Sequence, residues 1–374
     1  MKTFYILILT LIFNCFLTAQ QVNITFKVNT IDSSDVYIVG NLPQIGNWNP
    51  MRVKLNNHGI QHEITITFNK GENVEFKFTR GSWQTEALDK DGNVPPNNFL
   101  TVNKDTIISL TINNWAIPTN NNTFEGQITG KLRYHPQFEG KGIIPRNIVV
   151  WLPPDYDTDS LKKYPVLYMH DGQNLFDPST SSFGTDWQMD ETADSLIRQG
   201  KIYPLIIVGI YSTENRTAEY ARNDTCKLYM DFIVNELKPF IDANYRTLPD
   251  RENCFTGGSS AGGLISFKLH WEYNEVFSKA LCFSPAFKIE WIDYVKIVDN
   301  TKNKKPINVY IANGGKGIDI RLQPGVDEMI KAFDRKQYKL NKDYFVNIYP
   351  NDNHNEADWA KQLPFYFMLM FGNK

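Results

Sequence analysis

A short glycine-rich segment has the residue types and the spacing that nucleophilic catalysis requires. Residues 258–262 read G-x-S-x-G, between an apolar run and a run typical of a helix. In that arrangement a serine stands on a sharp strand-to-helix turn, with its Oγ exposed and its backbone strained. Ser260 is therefore the candidate nucleophile, and the amide of Ala261 is the candidate donor to the oxyanion of a tetrahedral intermediate. The alternative interpretation is an ordinary glycine-rich turn of an α/β protein.

The candidate general base is found by elimination among six histidines. Five are poorly placed, because they precede the serine in the chain or lie along its helix: His58, His62, His135, His170 and His270. His270 is about 15 Å from Ser260 along a helix, which is beyond hydrogen-bond reach. His354 remains. It lies in a loop after an apolar strand and has the place in chain order that the histidine of such a triad takes.

The acid of the triad should follow the strand predicted at residues 307–312. A glycine-rich loop after that strand contains Asp319, which we expect to hold the tautomer of His354 and to stabilise its imidazolium form. Asp327 is the alternative. It follows Pro324 and would lie inside the next helix, where a surface charge is the simpler explanation.

A second oxyanion donor is expected in the turn after the apolar strand at residues 166–169. That turn begins His-Asp-Gly-Gln, and Gly172 permits a tight bend in it. We expect the bend to direct the amide of Gln173 toward Ser260. An ordinary strand-to-helix loop is the alternative.

An alternation of strands and helices from residue 127 onward must position these residues. Strands are predicted at residues 146–152, 165–169, 205–210, 253–256, 279–283, 307–312 and 345–349, and helices at 189–198, 228–243, 261–273, 325–335 and 358–371. This alternation predicts an α/β fold with a largely parallel sheet covered by helices on both faces. Ligands of such sheets bind at the carboxyl ends of the strands. Ser260, Asp171 and His354 each follow a strand, so we expect all three at that edge.

Residues 21 to about 115 show a different pattern, because apolar residues there alternate with polar ones at every second position, as in Val22, Ile24, Phe26 and Val28. Short, evenly spaced strands separated by polar turns predict a small antiparallel sandwich of the immunoglobulin type. The predicted domains are therefore a sandwich at residues 20–115, an asparagine-rich linker at 116–123 and an α/β domain at 124–374.

Length and composition agree with two domains, since 374 residues exceed one ordinary core and 42% of them are hydrophobic. Lys2, the apolar run at residues 4–17 and the following Thr-Ala-Gln predict a signal peptide at residues 1–19, cleaved after Ala19. We therefore expect a secreted or periplasmic protein, with a retained membrane anchor as the alternative. The formal net charge of −2 gives no indication of a nucleic-acid or membrane partner.

The cysteines and histidines do not indicate a metal site. Three cysteines follow the predicted signal peptide, Cys226, Cys254 and Cys282, and an odd number of thiols does not predict a disulfide framework. Neither these residues nor the dispersed histidines have the spacing of zinc ligands. No cofactor and no metal are predicted for the chemistry.

Three motifs of the second domain together resemble the putative esterase family of α/β-hydrolases: MHDGQNLFD at residues 169–177, GSSAGG at 258–263, and HNE at 354–356 with Trp359. That family includes enterochelin esterase-like and esterase D-like proteins and the feruloyl and acetylxylan esterases of carbohydrate esterase family 1. The resemblance implies an α/β-hydrolase fold and a Ser-Asp/Glu-His ester hydrolase, and it assigns the oxyanion donor after the Asp-Gly step to Gln173. It does not select the ester.

The first domain resembles the starch-binding domains of carbohydrate-binding module family 20, through residues 36–50 and the strand VEFKF at 74–78. The resemblance implies a glucan platform of stacking indoles and polar groups at Trp48, Lys77, Trp83 and Asn97. The chain departs from the family pattern in a longer loop before Asn97 and in an asparagine at position 98, where an arginine is usual. Packing tryptophans in a purely structural sandwich are the alternative.

These observations together predict an exported serine ester hydrolase that acts on an ester carried by a carbohydrate. An enterochelin-type siderophore esterase is the alternative of the same class. A non-catalytic glucan-binding protein is the alternative of another class. Acyl transfer to an alcohol other than water would proceed through the same acyl-enzyme.

Overall fold

A computed structural model of the protein describes residues 20–46, 50–81, 85–92, 94–116, 128–182 and 184–373. The chain divides into two units after Ala116. The predicted signal peptide at residues 1–19 and residues 117–123 of the predicted linker lie outside the described residues.

The strands of the first unit are β1 Gln21–Thr30, β2 Tyr37–Gly40, β3 Val53–Lys54, β4 Asn56–His58, β5 Gln61–Asn69, β6 Asn73–Thr79, β7 Ala87–Leu88, β8 Asn98–Thr101, β9 Thr106–Ile112 and β10 Asn114–Trp115. They form two four-stranded sheets, ordered β4-β5-β1-β9 and β3-β2-β6-β8, while β7 pairs with β10. The alternating apolar residues of β1 face the core between the sheets. There the ring of Phe26 meets that of Phe76 edge to face, with centroids 5.0 Å apart. The predicted sandwich is confirmed.

One strand pair differs from the predicted antiparallel arrangement, because β1 and β9 run parallel. Period-two alternation identifies which residues face the core, and it carries no information about the direction of the neighbouring strand. Strands that lie far apart in the chain can pair in either direction, since no tight hairpin forces them to be antiparallel.

The second unit contains strands β11 Lys131–Gly140, β12 Ile143–Leu152, β13 Val166–His170, β14 Ile206–Ile210, β15 Cys254–Ser259, β16 Lys279–Phe283, β17 Lys288–Ile289, β18 Ile292–Asp293, β19 Val309–Gly314 and β20 Tyr344–Tyr349. Its helices are α1 Met189–Arg198, α2 Arg216–Ala221, α3 Asn223–Phe232, α4 Lys238–Asn244, α5 Ala261–Glu272, α6 Val295–Asn300, α7 Ile318–Arg335 and α8 Glu356–Phe371. A π-helical segment, Ile233–Leu237, joins α3 to α4.

Eight of these strands form one sheet, ordered β11-β12-β14-β13-β15-β16-β19-β20. Strand β12 is antiparallel to both of its neighbours, and the remaining pairs are parallel. Every residue of β13 and β14 is buried, as expected for parallel strands covered on both faces. On β13, Leu167 and Met169 pack in the cluster of α1 and α8, whereas Tyr168 packs with α3, α4 and α5. The predicted α/β-hydrolase architecture is confirmed.

Helix α7 begins earlier than the sequence pattern indicates. The sequence pattern predicts a helix from residue 325, directly after Pro324, whereas α7 begins at Ile318 and contains Pro324. The buried residues Leu322, Val326 and Met329 continue one apolar face across the proline. Tertiary burial therefore outweighs the amide hydrogen bond that the proline removes.

The cysteines Cys226, Cys254 and Cys282 are free and buried. Burial raises the pKa of each thiol, which disfavours the reactive thiolate. Among the residues that the structure describes, no helix has both the length and the apolar composition needed to cross a bilayer.

Candidate active site

Ser260 occupies the sharp turn between β15 and α5. Its φ of 58° and ψ of −123° put a non-glycine residue in a strained backbone conformation. Its amide donates to the carbonyl of Phe283 at 2.9 Å, and its carbonyl accepts from the amide of Ala286 at 3.1 Å. A Cβ atom at position 258 would lie 2.8 Å from the backbone of Gly262, so the turn closes only with glycine there. This is the backbone geometry of a nucleophile elbow.

His354 is hydrogen-bonded to Asp319, with 2.6 Å between Nδ1 and Oδ1. The carboxylate is fully buried, and its Oδ2 accepts from the amide of Gly314 at 3.0 Å. Because Nδ1 donates to the carboxylate, Nε2 of His354 is the nitrogen that remains to accept a proton. Asp319 lies in the first turn of α7 rather than in a loop, which corrects the predicted setting of this residue. The rival Asp327 is exposed and accepts from the side chain of Gln323 at 2.8 Å.

Ser284 connects these two parts of the site, and the sequence did not identify it. Its Oγ donates to Oδ2 of Asp319 at 3.1 Å and lies 3.1 Å from Nε1 of Trp359, which donates to it. Ser284 follows Phe283, whose carbonyl holds the amide of Ser260. The loop after β16 therefore contacts the backbone of the turn at Ser260 and the carboxylate that is bonded to His354. The only signal in the sequence is a polar residue directly after an apolar strand.

Two tryptophans pack in succession next to His354, with Trp359 against the histidine ring and Trp187 against Trp359. The ring of Trp359 lies edge to face against His354, with centroids 5.0 Å apart. Trp187 in turn packs against Trp359, with centroids 5.3 Å apart, and against Phe283. Trp187 is buried in the cluster of α1 and α8, which makes it part of the core and not part of an open pocket.

The turn after β13 has the tight geometry that was expected for an oxyanion donor. Asp171 adopts the left-handed conformation with φ of 58°, and residues 172–174 form one 3-10 turn. A Cβ atom on Gly172 would lie 2.5 Å from the carbonyl carbon of Gly209, so glycine is required where this turn meets β14. The side chain of Gln173 donates to Oγ of Ser212 at 2.8 Å and accepts from the amide of Ser212 at 3.1 Å. In the described part of the chain, neither the backbone amide of Gln173 nor that of Ala261 donates a hydrogen bond.

Charged side chains hold this turn from two sides. Arg216 donates to Oδ1 and Oδ2 of Asp171 at 2.6 and 2.7 Å. The side-chain amide of Asn174 donates to Oε1 of Glu356 at 3.0 Å. Glu356 is two residues beyond His354, so this bond links the turn to the histidine segment. Burial raises the pKa of Glu356 to about 7, with a further rise from Asp171 that Arg216 opposes.

Three of the other histidines, His135, His170 and His270, have structural partners. His170 and His270 are fully enclosed in the core, bonded to the hydroxyl of Tyr229 at 2.9 Å and to the carbonyl of Phe277 at 3.0 Å. Burial lowers the pKa of His170 to about 3 and that of His270 to about 4, so both are neutral. His135 lies 2.6 Å from the hydroxyl of Tyr245.

The residues predicted to bind glycan are only partly described. Trp48 and Trp83 lie outside the described residues. Lys77 forms an ion pair with Glu86 at 3.0 Å, and the side chain of Asn97 donates to Glu75 at 2.9 Å. Lys77 and Asn97 are therefore both bound to carboxylates of their own unit.

Comparisons with known proteins agree with the two resemblances. Residues 21–106 match the family model described as Starch binding domain. The chain is 28% identical over 158 residues to the uncharacterized protein YbbA of Bacillus subtilis, a match that covers 39% of this chain and 58% of that protein. The match therefore spans less than two thirds of this relative.

Two solved structures show the same fold at low identity. A ferulic acid esterase superposes with a TM-score of 0.55 at 19% identity, covering 65% of this chain and 99% of that one. The enterobactin esterase of Shigella flexneri superposes with a TM-score of 0.52 at 12% identity, covering 95% of this chain and 94% of that one. The model described as Putative esterase matches residues 144–367, more than half of the chain, and the protein therefore belongs to this esterase family.

Proposed function

We propose that this protein is a serine ester hydrolase in which Ser260, His354 and Asp319 form the catalytic triad. Oγ of Ser260 attacks the acyl carbon while Nε2 of His354 takes its proton, and the carbonyl oxygen becomes an oxyanion. The amides of Ala261 and Gln173 donate to that oxyanion. The leaving alcohol takes the proton from His354, which leaves the acyl group on Ser260. Water then attacks the acyl carbon while His354 takes a proton from it, the bond to Ser260 breaks, and Ser260 regains the proton as the carboxylic acid leaves.

The observation that carries this proposal is the hydrogen bond between His354 and the buried carboxylate of Asp319. It supports the triad because it fixes the tautomer in which Nε2 is free to act as a base. The strained turn at Ser260 supports the same mechanism independently, as do the backbone amides of Ala261 and Gln173, which donate no hydrogen bond within the described part of the chain.

Labelling with a fluorophosphonate probe tests the nucleophile. We expect the wild-type protein to be labelled and Ser260→Ala to remain unlabelled and inactive. Ser259→Ala is the matched control, since it removes a hydroxyl one residue earlier, and we expect it to label. An unlabelled wild type, or a Ser260→Ala variant labelled like the wild type, would falsify the proposal.

We further propose that the ester is carried by a carbohydrate. The match of residues 21–106 to a starch binding domain model and the similarity to a ferulic acid esterase support this class of substrate. The observation that favours the siderophore alternative is the structural similarity to the enterobactin esterase, which extends over 95% of this chain. Product analysis with feruloylated sugar, acetylated sugar and a catecholate trilactone distinguishes them. Faster cleavage of the trilactone would replace the carbohydrate proposal, and products esterified to an added alcohol would identify acyl transfer.

The first unit is proposed to bind an α-glucan through Trp48. We expect the wild-type protein to be retained on immobilised starch and Trp48→Ala to elute earlier. A wild type that is not retained ends this proposal and leaves the esterase proposal untouched. Retention without any hydrolysis would instead support the non-catalytic glucan-binding alternative.

Export is proposed from the pattern of residues 1–19. Mass spectrometry of the protein recovered from the producing cells tests it, with an N-terminus at Gln20 as the expected result. An intact N-terminus that still carries residues 1–19 would contradict cleavage at this site.

A further inference from the structure

Three carboxyl groups gather where α1 begins, away from the proposed triad. One oxygen from each of Asp186, Asp190 and Glu191 lies within 4.8 Å of the other two. Asp190 is fully buried and Asp186 nearly so, while Glu191 is half-buried. Bringing ionised carboxylates out of water is costly unless a counter-charge compensates them.

The counter-charge does not come from an ion pair within the described part of the chain, where no lysine, arginine or histidine pairs with any of the three acids. The nearest ion pair in sequence, between Arg198 and Asp194 at 2.7 Å, uses a different carboxylate. The charged groups that act on Asp186 and Asp190 are other acids, including Glu191 and Asp177.

The hydrogen bonding of the cluster leaves oxygens without partners. The amide of Thr129 donates to Oδ2 of Asp190 at 2.6 Å, and the amide of Gln188 donates to Oδ2 of Asp186 at 3.1 Å. Among the described residues, no N–H or O–H group donates to Oδ1 of Asp190 or to Oε2 of Glu191, which are both buried, and the side chains of these two acids lie within hydrogen-bond distance of each other. The backbone thus fixes two of the carboxyl groups, and the fully buried Asp190 has an oxygen that faces another carboxyl group with no donor for it.

We propose that Asp186, Asp190 and Glu191 bind a divalent cation, and that Ca²⁺ is the ion that fits the site best. The donors are all carboxylate oxygens, which hard cations prefer. Two oxygens on opposite sides of a Ca²⁺ ion lie about 4.6–5.2 Å apart, so oxygens within 4.8 Å of one another fit one coordination sphere. Mg²⁺ requires a tighter octahedron. The half-buried Glu191 leaves room for water ligands at the solvent side.

The site would act on the catalytic residues through Trp187. This residue lies between the ligands Asp186 and Asp190 in the chain, and its ring packs on Trp359, which packs on His354. A cation that joins the first ligand to the other two would fix the segment that carries Trp187. The bound cation therefore stabilises the second unit and restrains His354 through Trp187 and Trp359. It takes no part in the bond-breaking steps.

The test compares the full chain, stripped with a chelator, with and without added CaCl₂. At a hundredfold excess of Ca²⁺ over Kd, we expect the Tm of the wild type to rise by about 5–10 °C. Tb³⁺ used as a luminescent substitute for Ca²⁺ should be sensitised by excitation of tryptophan. MgCl₂ is expected to give a smaller rise in Tm than CaCl₂.

The variants Asp190→Asn and Glu191→Gln each remove one ligand charge at almost constant volume, and both should lose the Ca²⁺ response. Glu191→Gln keeps the test meaningful if the buried Asp190 variant does not fold. Asp224→Asn is the matched control, because it removes an exposed acid from the first turn of α3 and should respond like the wild type. The proposal is overturned if neither Ca²⁺ nor Tb³⁺ binds the wild type, which would mean that the acids share protons. It is equally overturned if both ligand variants respond as the wild type does. None of these readouts depends on ester hydrolysis.

Discussion

Oδ1 of Asp319 lies 2.6 Å from Nδ1 of His354, on a carboxylate that is fully buried and is also bound by Ser284 and by the amide of Gly314. Three donors fix the orientation of this carboxylate, so it can hold the imidazole in one tautomer and stabilise the positive charge that forms on it in the proposed reaction. Asp327, the other candidate acid, lies further along the same helix and is exposed.

The variant Asp319→Asn tests this relationship. The amide fills the same space, but it favours the wrong imidazole tautomer, so we expect kcat to fall by about 10³–10⁴-fold with little change in KM. Asp327→Asn is the control and should change kcat by less than about twofold. Steady-state kinetics on an aryl ester measures both. Equal losses in the two variants, or no loss in Asp319→Asn, would remove Asp319 from the proposed triad.

The fold class could be predicted from the sequence because the two units have different hydrophobic patterns. Apolar residues recur at every second position in the first unit, whereas apolar strand segments alternate with helical segments in the second. The candidate nucleophile and base have local signals, a glycine-flanked serine and a histidine after a strand. Ser284 has none, and Glu356 occurs in the HNE motif without any sign of its partner, because their contacts join residues 35 and 182 positions apart in the chain. Chain order alone does not reveal which polar side chains meet at the edge of a sheet. The start of α7 was missed for a related reason, since a buried apolar face outweighs the local preference of Pro324.

Two substitutions of Ser284 distinguish the role of its hydroxyl group from the effect of its backbone conformation. Loss of the hydroxyl leaves Nε1 of Trp359 without its acceptor, which should lower the free energy of unfolding by about 1–3 kcal/mol. It also removes one of the donors that orient the carboxylate of Asp319, so we expect kcat to fall about tenfold. Ser284 has a φ of 43°, a conformation that glycine adopts without strain. Ser284→Gly should therefore lose as much kcat as Ser284→Ala and be the more stable of the two. Chemical denaturation and kinetics on both variants check this, and a glycine variant with wild-type kcat would contradict the role of the hydroxyl.

The buried Glu356 makes stability depend on pH. Its pKa is about 7 in the folded protein against an ordinary value of 4.5, so between these values the folded state holds a proton that the unfolded state has lost. The free energy of unfolding should therefore fall as the pH rises from about 4.5 to about 7, by on the order of 3 kcal/mol. Glu356→Gln stays neutral and keeps an acceptor for Asn174, so this part of the decrease should disappear.

Urea denaturation at pH 5 and at pH 8 measures the effect of Glu356. The difference in free energy of unfolding between Glu356→Gln and the wild type should shift in favour of the variant from pH 5 to pH 8. Glu214→Gln, at an exposed position, serves as the control and should follow the wild type at both values. A difference between Glu356→Gln and the wild type that is the same at pH 5 and pH 8 would show that Glu356 does not titrate in this range.

Arg216 holds the turn that is proposed to bind the oxyanion, because it donates to both oxygens of Asp171 directly before Gly172 and Gln173. Lysine keeps the positive charge but cannot make this planar, two-point contact. In Arg216→Lys we therefore expect a kcat about tenfold lower, because the amide of Gln173 is displaced, with a smaller change in KM. Arg222→Lys makes the same exchange at an exposed position nearby and should leave kcat unchanged. If Arg216→Lys instead raised KM alone, Arg216 would be a substrate contact and not a residue that positions the turn.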